Sequence, residues 1–288
     1  MNWFERMKSG ILTRIKRELP EGIWTSCKRC GETTYQAALE RNAWICPHCS
    51  NHLPIGYLKY VDLLADNDSF VEINANLRTA DPLKFRDHRR YGDRIREARK
   101  SASMNEAIST GVCTVGGQPV ALGVMDMRYL TATMGGATGE KISRLIDRAI
   151  DDRRSLVLVC QSGGARMQES TFSLMQMAKV SARLRRLSDK GLLYACLLTD
   201  PTYGGVTASF AMLGDIIIAE PGARIGFAGQ SVINQFMGLE QLPEGFLIAE
   251  NVLEHGFVDC VVPRDELAAT LSRLIALIAP ADPVPSTT

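Results

Sequence analysis

Thr199-Asp200-Pro201-Thr202-Tyr203-Gly204-Gly205-Val206-Thr207-Ala208-Ser209-Phe210-Ala211-Met212-Leu213 decides how this chain is read. An apolar run, Leu192 to Leu198, precedes it with the length of a buried strand and ends at the Asp200-Pro201 turn signal. Gly204-Gly205 follows, and a helix of small residues begins. Glycine lets the backbone approach a ligand closely, and the first N–H groups of a helix have no partner inside it. Such a turn can hold developing negative charge. Gly-Gly turns also serve as plain packing elements, so this one by itself identifies no chemistry.

A second stretch has the same form. Ser162-Gly163-Gly164-Ala165-Arg166-Met167-Gln168-Glu169 follows another apolar strand, Leu156 to Cys160, and opens another helix. Two strand–glycine–helix turns can aim backbone N–H groups at one oxygen, which is how an oxyanion hole is built. These two motifs, with Leu174-Met175-Gln176-Met177-Ala178-Lys179 and Ile225-Gly226-Phe227-Ala228-Gly229, resemble the carboxyltransferase beta subunits of bacterial acetyl-CoA carboxylase. The resemblance runs from about Trp3 to Val262. It implies a crotonase-like ββα spiral; the strand and helix periodicity alone supports only a mixed α/β fold.

Cys27-Lys28-Arg29-Cys30 and Cys46-Pro47-His48-Cys49 are two C-x2-C pairs separated by fifteen residues. That spacing lets two tight knuckles present four thiolates tetrahedrally to zinc, with a hairpin expected between them. With Cys27, Cys30, Cys46 and Cys49 as ligands the ion is closed to substrate, so a structural zinc is expected, one per chain. Cys113, Cys160, Cys196 and Cys260 lie singly in apolar runs, as small buried hydrophobes do.

Bulk properties exclude more than they identify. At 288 residues, 45% hydrophobic and 23% charged, the chain has the composition of a globular protein with room for a full core and a small module. A net charge of +1 implies neither a nucleic-acid nor a membrane partner. No apolar run approaches the roughly 18 residues of a membrane span, and Met1 to Arg6 lacks a signal-peptide core, so the expected location is the cytoplasm. The first 60 residues carry nine basic and five acidic side chains, an excess compatible with a polyanion, whether nucleic acid or CoA phosphates. Trp24, Tyr35 and Trp44 could stack on bases, but so small a metal module needs aromatics for its own core, and that reading is preferred. Nucleic acid is therefore not favoured.

Four segments are expected: a helical arm over 1–22, a four-cysteine zinc ribbon over 23–56, the crotonase-like lobe over 57–279 and a disordered tail over 280–288. Within the lobe, Leu58 to Leu64 reads as a helix and Lys84 to Lys100 as the basic, solvated face of another. Relatives carry a segment similar to Leu83 to Asp87, for which a CoA-phosphate contact is one reading. Val112 to Val115 and Pro119 to Val124 read as strands joined at Gly116-Gly117, Glu140 to Asp151 as a helix, and Asp215 to Ala219 as the last long apolar strand. Glu244 to His255 and Asp265 to Ile278 read as closing helices.

Acid–base machinery is scarce. The histidines are His48, His52, His88 and His255, and no G-x-S-x-G nucleophile elbow occurs, so Ser162 is read as shaping its turn. The family resemblance supplies a reaction that suits this poverty: carboxyl transfer from carboxybiotin to acetyl-CoA, giving malonyl-CoA, the first committed step of fatty acid synthesis. Biotin, on a separate carrier, brings its own base. On that basis Gly204, Gly205, Gly164 and Ala165 are the expected oxyanion residues, and Gly135, Gly136, Gly163, Arg166 and Tyr203 the expected CoA contacts. For Arg166, an ion pair with Glu169 is the alternative role. The resemblance also implies partners: a carboxyltransferase alpha subunit in an alpha2beta2 heterotetramer, a biotin carboxyl carrier protein and biotin carboxylase. A paralogue carboxylating or decarboxylating another acyl-CoA is the competing enzyme reading, and a nucleic-acid-binding zinc ribbon on a scaffold is the non-enzyme reading. Where the family typically has Met-Gly-Gly-Ser-Met-Gly, this chain has Leu130-Thr131-Ala132-Thr133-Met134-Gly135, and Tyr203 replaces a common methionine. Side chains there are expected to restrict the backbone and reshape the pocket for an acyl-CoA or an inhibitor.

Overall fold

The computed structural model describes residues 23–238, 242–243 and 245–278. The arm expected over 1–22 and the tail over 280–288 lie outside them.

The first module is small. Strands β1 (Trp24–Ser26) and β2 (Thr33–Tyr35) pair antiparallel around the first cysteine knuckle, and helix α1 (Gln36–Arg41) leads to the second. The fifteen residues between the knuckles thus hold the return strand and a helix, and the hairpin encloses the first knuckle instead of lying between the two. Leu39 and Leu53 pack beneath the knuckles with Cys27 and Cys46, which is all the core so short a segment can bury.

The lobe is built on one mixed sheet of β3 (Val71–Ile73), β4 (Ile108–Val115), β5 (Gln118–Met125), β6 (Ser155–Ser162), β7 (Tyr194–Tyr203), β8 (Ile216–Ala219), β9 (Ile225–Gly226) and β10 (Cys260–Val261). Its order is β3-β4-β5-β6-β7-β8-β10, with β9 also paired to β7. β3, β4 and β5 are antiparallel; from β5 through β6, β7 and β8 to β10 the pairing is parallel. Gly116 and Gly117 turn the β4–β5 hairpin at φ +54° and +80°, the left-handed pair a tight two-residue turn requires, and both N–H groups donate to the Asp66 carboxylate at 2.8 Å.

All eight residues of β6 are buried, because helices cover both faces of the parallel part. On one face lie α4 (Gly136–Asp151) and α5 (Thr171–Asp189). α4 buries Ile142, Leu145, Ile146 and Ala149, a single stripe at helical spacing, and starts four residues before the expected Glu140. On the other face α2 (Tyr57–Leu64) and α6 (Leu267–Ile278) pack with Tyr60, Leu64, Leu267, Leu271 and Ile275 against Val120, Val157 and Leu197. The basic run divides: residues 84–90 form a loop, and helix α3 begins only at Tyr91 and ends at Ala102. The closing helix read from Glu244 shortens to Ala249–Glu254.

Leu130, Thr131 and Ala132 stand consecutively at φ +46°, +53° and +50°. The left-handed region costs such residues roughly 1–2 kcal/mol each. The segment is held from outside: Gly163 N–H donates to Thr131 O at 2.9 Å and Ser162 Oγ to Ala132 O at 2.7 Å.

Candidate active site and zinc centre

β6 and β7 are parallel neighbours, so their C-terminal ends bring both glycine turns to one edge of the sheet. After β6, Gly163 N–H donates to Thr131 O, Gly164 N–H to Ser162 Oγ (3.0 Å) and Arg166 N–H to Met134 O (2.9 Å). After β7, Gly204 sits at φ +62° and its N–H donates to Phe227 O at 2.8 Å. The turns touch. A Cβ on Gly204 would lie 2.9 Å from Gly164 Cα, and one on Gly205 would lie 3.1 Å from Ala165 Cβ.

This narrows the donors. Gly164 and Gly204 N–H groups are engaged within the protein, so the two residues shape the turns. The N–H groups of Ala165 and Gly205, both half-buried, are left without a protein acceptor in the described structure. One comes from each turn, and the Gly205 nitrogen lies 3.6 Å from where a Gly164 Cβ would stand. Preorganised N–H donors of this kind are what an oxyanion hole is built from. Ser162 is fully buried and donates to Ala132 O and Gly164 O; it shapes its turn, as its sequence context suggests. Of the histidines, His52 is tied to Glu220 and His255 to Asn251 O, neither at the turns.

Three of the expected CoA contacts are engaged within the protein. Arg166 is 1% exposed and faces inward, with Nη2 2.7 Å from Glu106 Oε1 and Nη1 3.1 Å from Glu169 Oε1. It also donates to Thr79 Oγ1 and Thr133 O, while Tyr91 OH donates to Glu169 at 2.6 Å and Thr79 Oγ1 to Glu106. Burial alone would raise the Glu106 carboxyl, but the Arg166 charge and hydrogen bonds outweigh it and hold it below its ordinary value. The alternative role, pairing with Glu169, is the one the structure has. Gly135 is buried against this cluster, its N–H accepted by Thr138 Oγ1, and Gly136 N–H donates to Glu169 Oε2 at 2.6 Å. Their N–H groups are therefore occupied. A Cβ on Gly135 would meet Arg166 Nη1 at 2.6 Å, so this glycine serves packing. Gly163 is exposed beside the turn and Tyr203 is half-buried next to Gly229, where both border the site.

The Sγ atoms of Cys27, Cys30, Cys46 and Cys49 all lie within 4.8 Å of one another, with Cys27–Cys49 at 3.7 Å and Cys30–Cys46 at 3.8 Å. Tetrahedral zinc at about 2.3 Å from each sulfur places the sulfurs about 3.8 Å apart, so the four residues fit the ion. Purified protein is expected to carry stoichiometric zinc, and Cys27→Ser or Cys49→Ser to lose both the metal and the order of the ribbon. Metal analysis showing none, or an unchanged melt in strong chelator, would contradict this.

The ribbon is fastened to the lobe through a buried pair that carries no sequence signal. Arg264, in the turn before α6, donates from Nε and Nη2 to Glu220 at 2.8 and 2.6 Å and from Nη1 to Leu53 O at 2.9 Å. Glu220, just beyond β8, also accepts from Tyr60 OH (3.0 Å) and lies 3.2 Å from His52 Nδ1. Burial would raise the Glu220 carboxyl, but the His52 and Arg264 hydrogen bonds and charges prevail and hold it at about 2, against an ordinary 4.5. A folded value below the unfolded one means this stability is complete above the unfolded value and is lost as pH falls toward the folded one. Glu220 is 1% exposed, and the shift corresponds to on the order of 3 kcal/mol. The melting temperature of the wild type should therefore fall more steeply than that of Glu220→Gln between about pH 5 and about pH 2. Equal slopes would remove Glu220 from the acid response.

Comparison with known proteins agrees with this architecture. Residues 58–287 match the carboxyl transferase domain family, and residues 24–49 the acetyl-CoA carboxylase zinc finger domain. The acetyl-coenzyme A carboxylase carboxyl transferase subunit beta of Nostoc punctiforme is 49% identical over 282 residues, covering 97% of this chain and 89% of that one. Its counterpart in Prochlorococcus marinus (strain MIT 9515) is 46% identical, covering 96% of each. Among solved structures, transcarboxylase 12S with methylmalonyl-coenzyme A and methylmalonic acid bound shares the fold at TM-score 0.65 and 22% identity, over 77% of this chain and 41% of that one. The Pseudomonas malonate decarboxylase hetero-dimer does so at TM-score 0.61 and 20% identity, over 80% and 90%. With a crotonase-like lobe, a four-cysteine ribbon and relatives at nearly half identity over almost its whole length, the chain belongs to the family of acetyl-CoA carboxylase carboxyl transferase beta subunits, biotin-dependent acetyl-CoA carboxyltransferases.

Proposed function

We propose that Gly205 and Ala165 N–H groups jointly hold the thioester oxygen of acetyl-CoA while the acetyl group is carboxylated to malonyl-CoA. The observation carrying this assignment is the pair of acceptor-free N–H groups on two touching turns. Removal of the acetyl α-proton places negative charge on that oxygen, and donors already aimed at it need no reorganisation as the charge develops. Carboxybiotin, brought on a carrier protein, supplies the carboxyl group and the base. The chain's own part is to fix the thioester, keep the oxygen between the two N–H groups and exclude water. Gly163 and Tyr203 form the rim past which the acyl chain enters.

A carboxyltransferase alpha subunit completes the site in an alpha2beta2 assembly, served by a biotin carboxyl carrier protein and biotin carboxylase in the cytoplasm. The surface around the turns supports a large partner. Phe227, whose carbonyl holds Gly204, is 74% exposed, and Met167 and Phe236 are 81% and 87% exposed. Met167 lies two residues after Ala165 and Phe227 bonds the second turn, so exposed bulky apolar side chains flank both turns, as at an interaction surface. Among the described residues, no helix is long and apolar enough to cross a membrane. The test is co-purification with an alpha subunit, followed by malonyl-CoA formation from carboxybiotin and acetyl-CoA. A stable complex without malonyl-CoA formation would refute the assignment.

A further inference from the structure

Thr131 is a β-branched residue in a conformation that glycine takes freely. It stands at φ +53°, between two other left-handed residues, Leu130 and Ala132. Those neighbours contribute to packing: Ala132 lies in the core with Ile142 and Leu145, and Leu130 packs on Ala98 and Tyr129. Thr131 is exposed. A β-branched side chain in the left-handed region is a genuine outlier, and outliers of this kind concentrate at ligand sites.

The Thr131 side chain is also fixed in place. Its hydroxyl donates to Leu130 O at 2.7 Å, and two heavy atoms on Cβ restrict its χ1 rotamers. Its main-chain oxygen accepts Gly163 N–H at 2.9 Å, which ties it to the first glycine turn. A Cβ on Gly163 would stand 3.3 Å from Thr131 Oγ1 and 3.6 Å from Thr131 Cβ. Gly163 also borders the second turn, its carbonyl oxygen lying 3.7 Å from where a Gly204 Cβ would be. One glycine therefore separates the Thr131 side chain from the turn that carries Gly205.

We infer that Thr131 sets the size of the acyl group the site accepts and holds it to acetyl. A mobile side chain would yield to a longer acyl group; one held by a branched Cβ and its own hydrogen bond does not. A methylene that such a wall refuses is worth roughly 10–200-fold in specificity. The inference rests on an acyl-CoA occupying the two turns, and its test separates the two readings. In the complex with the alpha subunit, kcat/KM for acetyl-CoA relative to propionyl-CoA should fall on the order of tenfold in Thr131→Gly. Glycine takes φ +53° without steric cost, so this variant should keep the backbone of the loop. Thr131→Val preserves the branch and the volume and should keep the wild-type ratio. Ala132→Gly frees the next left-handed position while the methyl it loses is buried in the core, and it should keep that ratio too. An unchanged ratio in Thr131→Gly would overturn the inference, as would a wild type that carboxylates both thioesters equally well. An equal change for both thioesters would overturn it as well, placing Thr131 against the pantetheine arm that they share. The same shift in Ala132→Gly would reduce the effect to loop freedom and overturn it. If the wild type carboxylated neither thioester, the acyl-transfer assignment would fail. Calorimetric titration of the wild type and Thr131→Gly with acetyl-CoA and propionyl-CoA, without carboxybiotin, would then decide the inference through the ratio of Kd values.

Discussion

Gly205→Val is expected to lower malonyl-CoA formation about 100-fold, the effect of losing one oxyanion donor, while the protein stays folded. A Cβ at this position would stand 3.1 Å from Ala165 Cβ and 3.2 Å from Met177 Sδ, contacts that a shift of a few tenths of an ångström relieves. The shift moves both acceptor-free N–H groups, since one belongs to Gly205 and the other to the residue pushed. Gly204→Val is a different case. Its Cβ would meet Gly164 Cα at 2.9 Å with φ at +62°, so this variant should lose stability along with activity. Ser162→Ala is the control for mechanism. It should keep substantial turnover, yet lose about 1–3 kcal/mol of stability because Gly164 N–H is left unpaired in the interior. Steady-state kinetics and a thermal melt on the three variants separate these outcomes. An inactive Ser162→Ala beside an active Gly205→Val would replace the oxyanion assignment with a serine nucleophile.

Arg166→Met should cost about 3–5 kcal/mol, because Glu106 and Glu169 would remain buried with their shared cation gone. For a chain of this size, that lowers the melting temperature by on the order of 10 °C. Adding Glu106→Gln should restore part of the loss, since a neutral amide can stay buried with its remaining partners. Calorimetry of the single and double variants reads this directly. A melting temperature within a degree or two of wild type, together with a raised KM for acetyl-CoA, would return Arg166 to the role of a substrate contact. Arg166 anchors the turn that carries Ala165, so on the proposed assignment its effect on catalysis is indirect.

Much of this protein is local, and what is local was legible. The Cys27/Cys30 and Cys46/Cys49 spacing specifies a metal knuckle pair because each pair closes a tight turn of its own. The apolar runs ending at Cys160 and Leu198 specify buried strands, and the glycines after them specify turns, because backbone freedom is a property of the residue itself. Long shared motifs carried the family and with it the reaction. Which N–H groups remain free was not legible. Gly204 is disqualified by Phe227 O and Gly164 by Ser162 Oγ, and those acceptors are known only once β9 lies beside β7 and the turn after β6 has closed. Arg166 reads as a cation beside a catalytic turn; its burial follows from Glu106, sixty residues away along the chain, arriving at the same point. Glu220 and Arg264 give no signal at all, since neither motif nor periodicity marks a pair joined across 44 residues and then clamped onto a third segment at Leu53. The sequence alone therefore determined the strands, the turns, the metal knuckles and the family, because these depend on residues adjacent in the chain. Only the tertiary structure decided which N–H donors are left without an acceptor and which charges face each other, because hydrogen-bond capacity and burial are set by neighbours that the chain brings together through space.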